Sequence, residues 1–277
     1  MLDISLMNEM VYARIYICEL WTYMINKYVY KGEFLLEFRK AEILGVEVAS
    51  LTMADAVATA EAFMDEKKPH LIATANAEMI MRATQDTELK EILNTADLVV
   101  PDGAGTVWAA NYLGVKMPER VAGFDLVQAL FANAPAKKRR IFFFGSAPGV
   151  AEKAKVKAQE DYPGIQIVGT RDGFFTTEDE PDIIAQIKEA KPDLLLAALG
   201  VPKQEKWLKA HMQEINCPLC IGVGGTFDVM AGVMKRAPLW MQKAKLEWLF
   251  RGMLQPKRIG RLMALPRFVM AVKASKK

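Results

Sequence analysis

From residue 41 onward, short apolar runs alternate with longer stretches of helical period. ILGVEV (43–48) predicts a strand. LTMADAVATAEAFMDEKK (51–68) predicts an amphipathic helix, with Thr52 and Asp55 spaced as a capping pair. HLIATA (70–75) predicts a second strand, and EMIMRATQDTELKEILNTA (78–96) helix in one piece or two. DLVV (97–100) is a strand, followed by a small-residue helix after Gly103 and a further helix over 123–134. RIFFFG (140–145), IQIVGT (165–170), DLLLAALG (193–200) and LCIGVG (219–224) continue the strand series. Helices follow Pro148, span 179–190 and 203–215, and resume after Gly225. Strands that are continuous apolar runs, each followed by a helix, belong to a parallel sheet covered on both faces. The expected fold is α/β: a Rossmann-like, doubly wound, mostly parallel sheet over 41–245. Residues 1–40 form an N-terminal extension of unread role, and 246–277 a basic, membrane-proximal helical appendage.

Composition narrows this picture. A chain of 277 residues, 52% hydrophobic and 25% charged, is globular and long enough for a sizeable core. The net charge of +3 is too small to point to nucleic acid. Its distribution says more: from 248 to 277 there are eight basic residues, no acids, and many interleaved apolar residues. Such a segment suits the surface of an anionic membrane. Residues 11–30 are aromatic-rich but carry Arg14, Glu19 and Lys27, which argues against a spanning helix. No signal peptide is read. Cys217 and Cys220 form a CPLC pair without a second Cys or His pair, so they read as buried strand thiols in a reducing cytoplasm.

Candidate chemistry gathers at the predicted strand ends, where parallel α/β sheets bind ligands. After HLIA come Thr74 and Asn76, a hydroxyl and an amide suited to orienting a sugar or phosphate. After DLVV comes PDG, with Asp102 on a tight corner, either a helix cap or a chemical group. LGVPKQE (199–205) places Lys203 and Gln204 at a helix start, where anions are favoured. GVGGTFDVMAG (222–232) offers glycines for close backbone approach, and FGSAPG (144–149) is a fifth such corner. There is no GxSxG and no GK[ST] phosphate loop. The first strand lacks the GxGxxG of a nicotinamide dehydrogenase. No acid pair of the kind that holds a metal on a diphosphate stands at a strand end. One carboxylate, neutral hydrogen-bonding groups and cations for phosphate suit group transfer from an activated donor.

Taken in order, TANAEMI, VVPDGAG, ERVAGFD (119–125), FFFGSAPGVAE, LGVPKQE, GVGGTFDVMAG and KRAP (235–238) resemble the WecG/TagA/CpsF family of bacterial glycosyltransferases over about 43–262. The resemblance implies an inverting, metal-independent enzyme without a cofactor. It implies transfer of N-acetylmannosamine from a UDP-sugar to GlcNAc-diphosphate-polyprenol, in teichoic acid-type polysaccharide synthesis, peripherally on the inner face of the cell membrane. UDP-N-acetylmannosaminuronate, a UDP-hexose, or a non-catalytic nucleotide-sugar-binding partner are the alternatives, and self-association stays open. By the same resemblance Asp102 is the catalytic base, and Thr74, Asn76 and Gln204 are substrate-binding. Asp228 contacts the nucleotide, and Arg251, Arg258 and Arg261 meet the membrane and the diphosphate.

Overall fold

The computed structural model describes residues 38–238, 240–241, 250 and 264–276. It opens with an antiparallel hairpin, β1 (Lys40–Ile43) and β2 (Val46–Ala49). This corrects the reading of 43–48 as one strand. Leu44 and Gly45 both take positive φ, 52° and 82°, and turn the chain in two residues. The first helix, α1 (Met53–Glu66), carries the expected capping box, Thr52 with Asp55.

Six strands then form a single, fully parallel sheet: β3 (His70–Ala75), β4 (Leu98–Pro101), β5 (Arg140–Gly145), β6 (Gln166–Arg171), β7 (Leu194–Ala198) and β8 (Leu219–Gly222). Their order is β4-β3-β8-β7-β5-β6. The predicted helix over 78–96 is two, α2 (Ala77–Ala83) and α3 (Thr87–Asn94), because Asp86 breaks the first and caps the second. The others are α4 (Ala104–Tyr112), α5 (Gly123–Lys137), α6 (Val150–Asp161), α7 (Glu180–Ala190), α8 (Lys203–Ile215), α9 (Thr226–Met230) and α10 (Ala264–Ser275).

The continuous apolar strands are explained by packing on both faces. In β5, Ile141 and Phe143 join a core with Phe63 of α1, Phe131 of α5, Ala154 of α6 and Phe227 of α9. Phe142 and Phe144 point the other way, into a core with Ile183 of α7 and Trp207 of α8. All four are fully buried, each worth roughly 1.5–3 kcal/mol in transfer from water. A third core joins the hairpin to α2, α3, α4 and α10, through Met79, Leu89, Ala109 and Phe268. So α10, within the stretch read as an appendage, buries Phe268 and Val272 against this body. The CPLC pair is buried as expected, with free thiols; Cys217 and burial together push the Cys220 thiol up.

Charged ties collect at the amino-terminal ends of the strands, away from the glycine-rich corners. His70 bridges Asp97 and Glu66, at 3.0 and 3.1 Å. Arg139, 6% exposed, binds Glu61 at 2.9 Å and Asp65 at 2.6 Å, joining β5 to α1. Lys137 also reaches Glu61, at 3.2 Å, so Arg139→Ala leaves that buried carboxylate one partner fewer rather than none and should cost about 2 kcal/mol in urea unfolding. A loss below about 1 kcal/mol would mean that the pair behaves like an exposed one.

Candidate active site

The carboxyl ends of β4, β3, β8 and β7 make one continuous rim. Pro101 closes β4, which is tolerable because β4 is an edge strand. The next amide, Asp102 N–H, donates to Ala75 O at 2.9 Å and so bends the corner over the end of β3. Gly103 then takes φ 97°, a conformation that side chains resist, and itself occupies the N-cap of α4. Asp102 therefore stands one residue ahead of that cap, half-buried on the corner. Asn76 is its neighbour: a Cβ on Gly103 would lie 3.7 Å from the Asn76 Cβ.

The other rim residues connect by direct contacts. Asn76 caps α2, its Oδ1 accepting from Met79 N–H at 2.9 Å. Thr74, 6% exposed, donates its hydroxyl to Gly222 O at 3.1 Å, tying β3 to β8. Gln204, 1% exposed, accepts at Oε1 from both Gly200 N–H and Gly224 N–H, each at 3.1 Å. It thereby joins the loops after β7 and β8. In α9 the Asp228 carboxylate folds back over Gly225, its Oδ2 3.6 Å from where a Cβ would stand. The structure thus brings together Asp102, Thr74, Asn76, Gln204 and Asp228. Arg251, Arg258 and Arg261 lie outside the described residues.

Two arginines supply positive charge that the reading of individual residues had passed over. Val121 N–H donates to Pro101 O at 3.0 Å, which sets Arg120 beside the Asp102 corner. Arg236 binds Asp125 at 2.8 Å and lies over the Phe124 ring at 4.5 Å; Arg120 reaches the same carboxylate at 3.7 Å. Their signal was present: ERVAGFD and KRAP stand among the ordered motifs. Backbone dipoles add to the field. The helices α4, α5, α6 and α8 all begin at strand ends, and none has a side-chain hydrogen bond at its N-cap. Helix starts of this kind favour an anion. Among the described residues, no group of three or more His, Cys, Asp or Glu is placed to hold a metal ion.

Glu205 is the second omission. It is 1% exposed, and its Oε1 accepts from Gln204 Nε2 at 2.7 Å. Its Oε2 has no hydrogen-bond partner among the described residues. Burial pushes its carboxyl up to about 7, against the smaller opposing pull of the Gln204 amide and its own backbone N–H. Gly222 is packed onto this pair: a Cβ there would meet Gln204 Nε2 at 2.6 Å and Glu205 Oε1 at 2.9 Å.

A doubly wound parallel sheet with an acid, amides, arginines and helix starts gathered on one rim defines a Rossmann-like α/β enzyme. The sequence profile described as "Glycosyl transferase WecG/TagA/CpsF family" matches residues 41–277, and the chain belongs to that family of glycosyltransferases. Among its relatives is the N-acetylglucosaminyldiphosphoundecaprenol N-acetyl-beta-D-mannosaminyltransferase of Bacillus spizizenii strain W23, 35% identical over 210 residues. That match covers 76% of this chain and 81% of the relative. The protein of the same name from Staphylococcus aureus strain NCTC 8325 is 33% identical over 240 residues, covering 86% and 94%.

The Glu205 environment makes stability depend on pH. Folding raises this carboxyl from its ordinary value near 4.5 to about 7, so the native state keeps a proton that the unfolded chain has lost. Its contribution is therefore most favourable below pH 4.5 and declines as pH rises to about 7, by about 3 kcal/mol, then levels off. Glu205→Gln should flatten that slope in denaturant titrations from pH 5 to 8. A slope unchanged by the substitution would assign it to other groups.

Proposed function

We propose that this glycosyltransferase moves N-acetylmannosamine from UDP-N-acetylmannosamine to the sugar of GlcNAc-diphosphate-polyprenol, with inversion and without a metal. The observation that carries the reading is Asp102, held on the β4 corner beside Asn76 and Arg120 rather than at the cap of α4. In the proposed step, the acceptor hydroxyl oxygen attacks the anomeric carbon on the face opposite the diphosphate. The carbon–oxygen bond to UDP breaks, and UDP leaves with the electron pair. The Asp102 carboxylate takes the hydroxyl proton. The developing diphosphate charge is met by Arg120, Arg236 and the helix starts. Asn76 and Thr74 orient the sugar end, Gln204 holds the loops on which the donor lies, and Asp228 meets the nucleotide.

The acceptor sits in a membrane, and the described tail supports a surface-bound enzyme. On α10 the buried Phe268 and Val272 face inward, while Arg267, Met270 and Lys273 are exposed. Trp240 is also exposed. Among the described residues, no helix is long and apolar enough to cross a membrane. In this reading Arg251, Arg258 and Arg261, outside the described residues, bind the lipid-linked diphosphate, and the reaction takes place on the cytoplasmic face. The product enters a surface polysaccharide of teichoic acid type.

Three measurements test the reading. Acceptor-dependent UDP release, in EDTA, should occur with UDP-N-acetylmannosamine and a soluble-chain analogue of GlcNAc-diphosphate-polyprenol. Turnover only with the uronic acid or UDP-glucose would replace the donor, and nucleotide-sugar binding without release would replace the enzyme by a binding partner. Asp102→Asn should fold and lose about 10²- to 10⁴-fold in kcat; near-normal turnover would remove the base from Asp102. Replacing Arg251, Arg258 and Arg261 by Ala should weaken both donor use and sedimentation with anionic vesicles. Unchanged sedimentation would take the membrane role from these arginines.

A further inference from the structure

We propose that Glu205 is a positioning residue of the transferase site: by accepting from Gln204 Nε2 it fixes that amide in the orientation that clamps the Gly200 and Gly224 backbones together. The proposal deepens the transferase reading and rests on it.

A glutamine amide has two ends of similar size and opposite chemistry. At Gln204 one end faces two backbone donors, Gly200 N–H and Gly224 N–H. Turning the amide over would set its NH₂ group against both, in a place only 1% exposed. The amide therefore needs an acceptor on its other side. Glu205 Oε1, at 2.7 Å, meets that need.

The ordinary work of a glutamate at this point of a helix is closed to Glu205. As the third residue of α8 it would reach back to the N-cap N–H, but the N-cap is Pro202, which has none. The side chain turns inward instead. Charged groups on α8 and the elements around it are engaged elsewhere. Lys206 binds Asp86 and Glu88, at 3.0 and 2.6 Å. Lys203 lies over the Phe175 ring, and His211 is 3.6 Å from Glu180. Glu205 thus keeps one buried oxygen without a hydrogen-bond partner among the described residues, an arrangement that costs stability. Among the described residues its one hydrogen bond to a neighbouring side chain is with Gln204, and stability costs of this kind collect at functional sites.

The pair reaches the site through short links. Gly222 rests on both side chains, and its carbonyl receives the Thr74 hydroxyl. Gly224 leads directly to Gly225 and to the Asp228 carboxylate folded over it. A Gln204 amide free to rotate would release the β7 and β8 loops and shift these groups together.

The test combines activity with backbone exchange in the full-length protein. Glu205→Ala should lower kcat/KM for acceptor-dependent UDP release by about tenfold to a hundredfold, the cost of an unmet buried donor. Glu205→Gln, which can still accept from Gln204, should recover most of that loss. In a Gln204→Ala background, Glu205→Ala should change kcat/KM by less than about twofold, since its effect runs through the amide. Amide hydrogen exchange at Gly200 and Gly224, followed by NMR without substrates, should quicken about tenfold or more in Glu205→Ala and stay slow in Glu205→Gln. If Glu205→Ala fails to fold, Glu205→Met fills the volume without an acceptor and takes its place. Losses that multiply in the double variant, or exchange unchanged at both glycines, would overturn the proposal. A wild-type protein that turns over no donor would defeat the transferase reading instead, and the exchange rates would still decide on Glu205.

Discussion

A sheet buried on both faces leaves chemistry nowhere to go except its ends. In this protein β5 sends Phe142 and Phe144 into one helical layer and Ile141 and Phe143 into the other, so neither face can hold a polar site. Because every strand runs the same way, all the carboxyl ends meet at one rim. The helices that cover the sheet must begin there too. Their first turns bring unpaired backbone donors to the same place, which makes the rim electropositive before any arginine is added. The opposite end carries structural ties, the His70–Asp97 hydrogen bond and the Arg139–Glu61 ion pair. Stability and chemistry are thus separated along the strand direction.

Within the rim, the residues divide by what they touch. Asp102 and Asn76 stand on adjacent strand ends, one held by its own backbone amide and the other by the helix it caps. Thr74 and Gln204 are buried and each holds protein backbone, the Thr74 hydroxyl donating to Gly222 O and Gln204 Oε1 accepting from two glycine amides. A buried polar group that is fully engaged gives a loop one position rather than several. A transferase needs such rigidity where donor and acceptor are brought together to react.

The periodicity of the chain revealed most of the fold, since continuous apolar strands are a direct consequence of two-sided burial. The hairpin at 40–49 escaped because Leu44–Gly45 lacks the Asn-Gly or Asp-Gly signature of its turn. The strand order was not legible: the crossovers that place β8 between β3 and β7 depend on packing between distant segments. The site was legible where a carboxylate or amide interrupted an apolar strand end. Within Lys203-Gln204-Glu205-Lys206 the helix start marks Lys203 and Gln204 as site candidates but not Glu205, since nothing in four polar residues in a row shows which of them are buried. The middle two are 1% exposed. Arg120 was hidden for another reason. It lies after a strand end in sequence only by way of α4, and it returns to that corner through the Val121–Pro101 hydrogen bond.

The position of β8 has a consequence for how the molecule comes into being. Among the described residues it is the last strand, and it lies inside the sheet, between β3 and β7. Without it, β4-β3 and β7-β5-β6 are two separate leaves with no strand pairing between them. The Thr74 hydroxyl waits for a carbonyl 148 residues further on. Contacts so distant form slowly, and a chain emerging from the ribosome cannot make them until nearly all of the catalytic rim has been synthesised. Each leaf meanwhile presents an open edge to the other chains around it. Insertion of the four-residue β8 closes both edges and brings the ends of β3 and β7 onto one rim. The parts of the site on the two leaves are therefore joined by the same strand that joins the sheet.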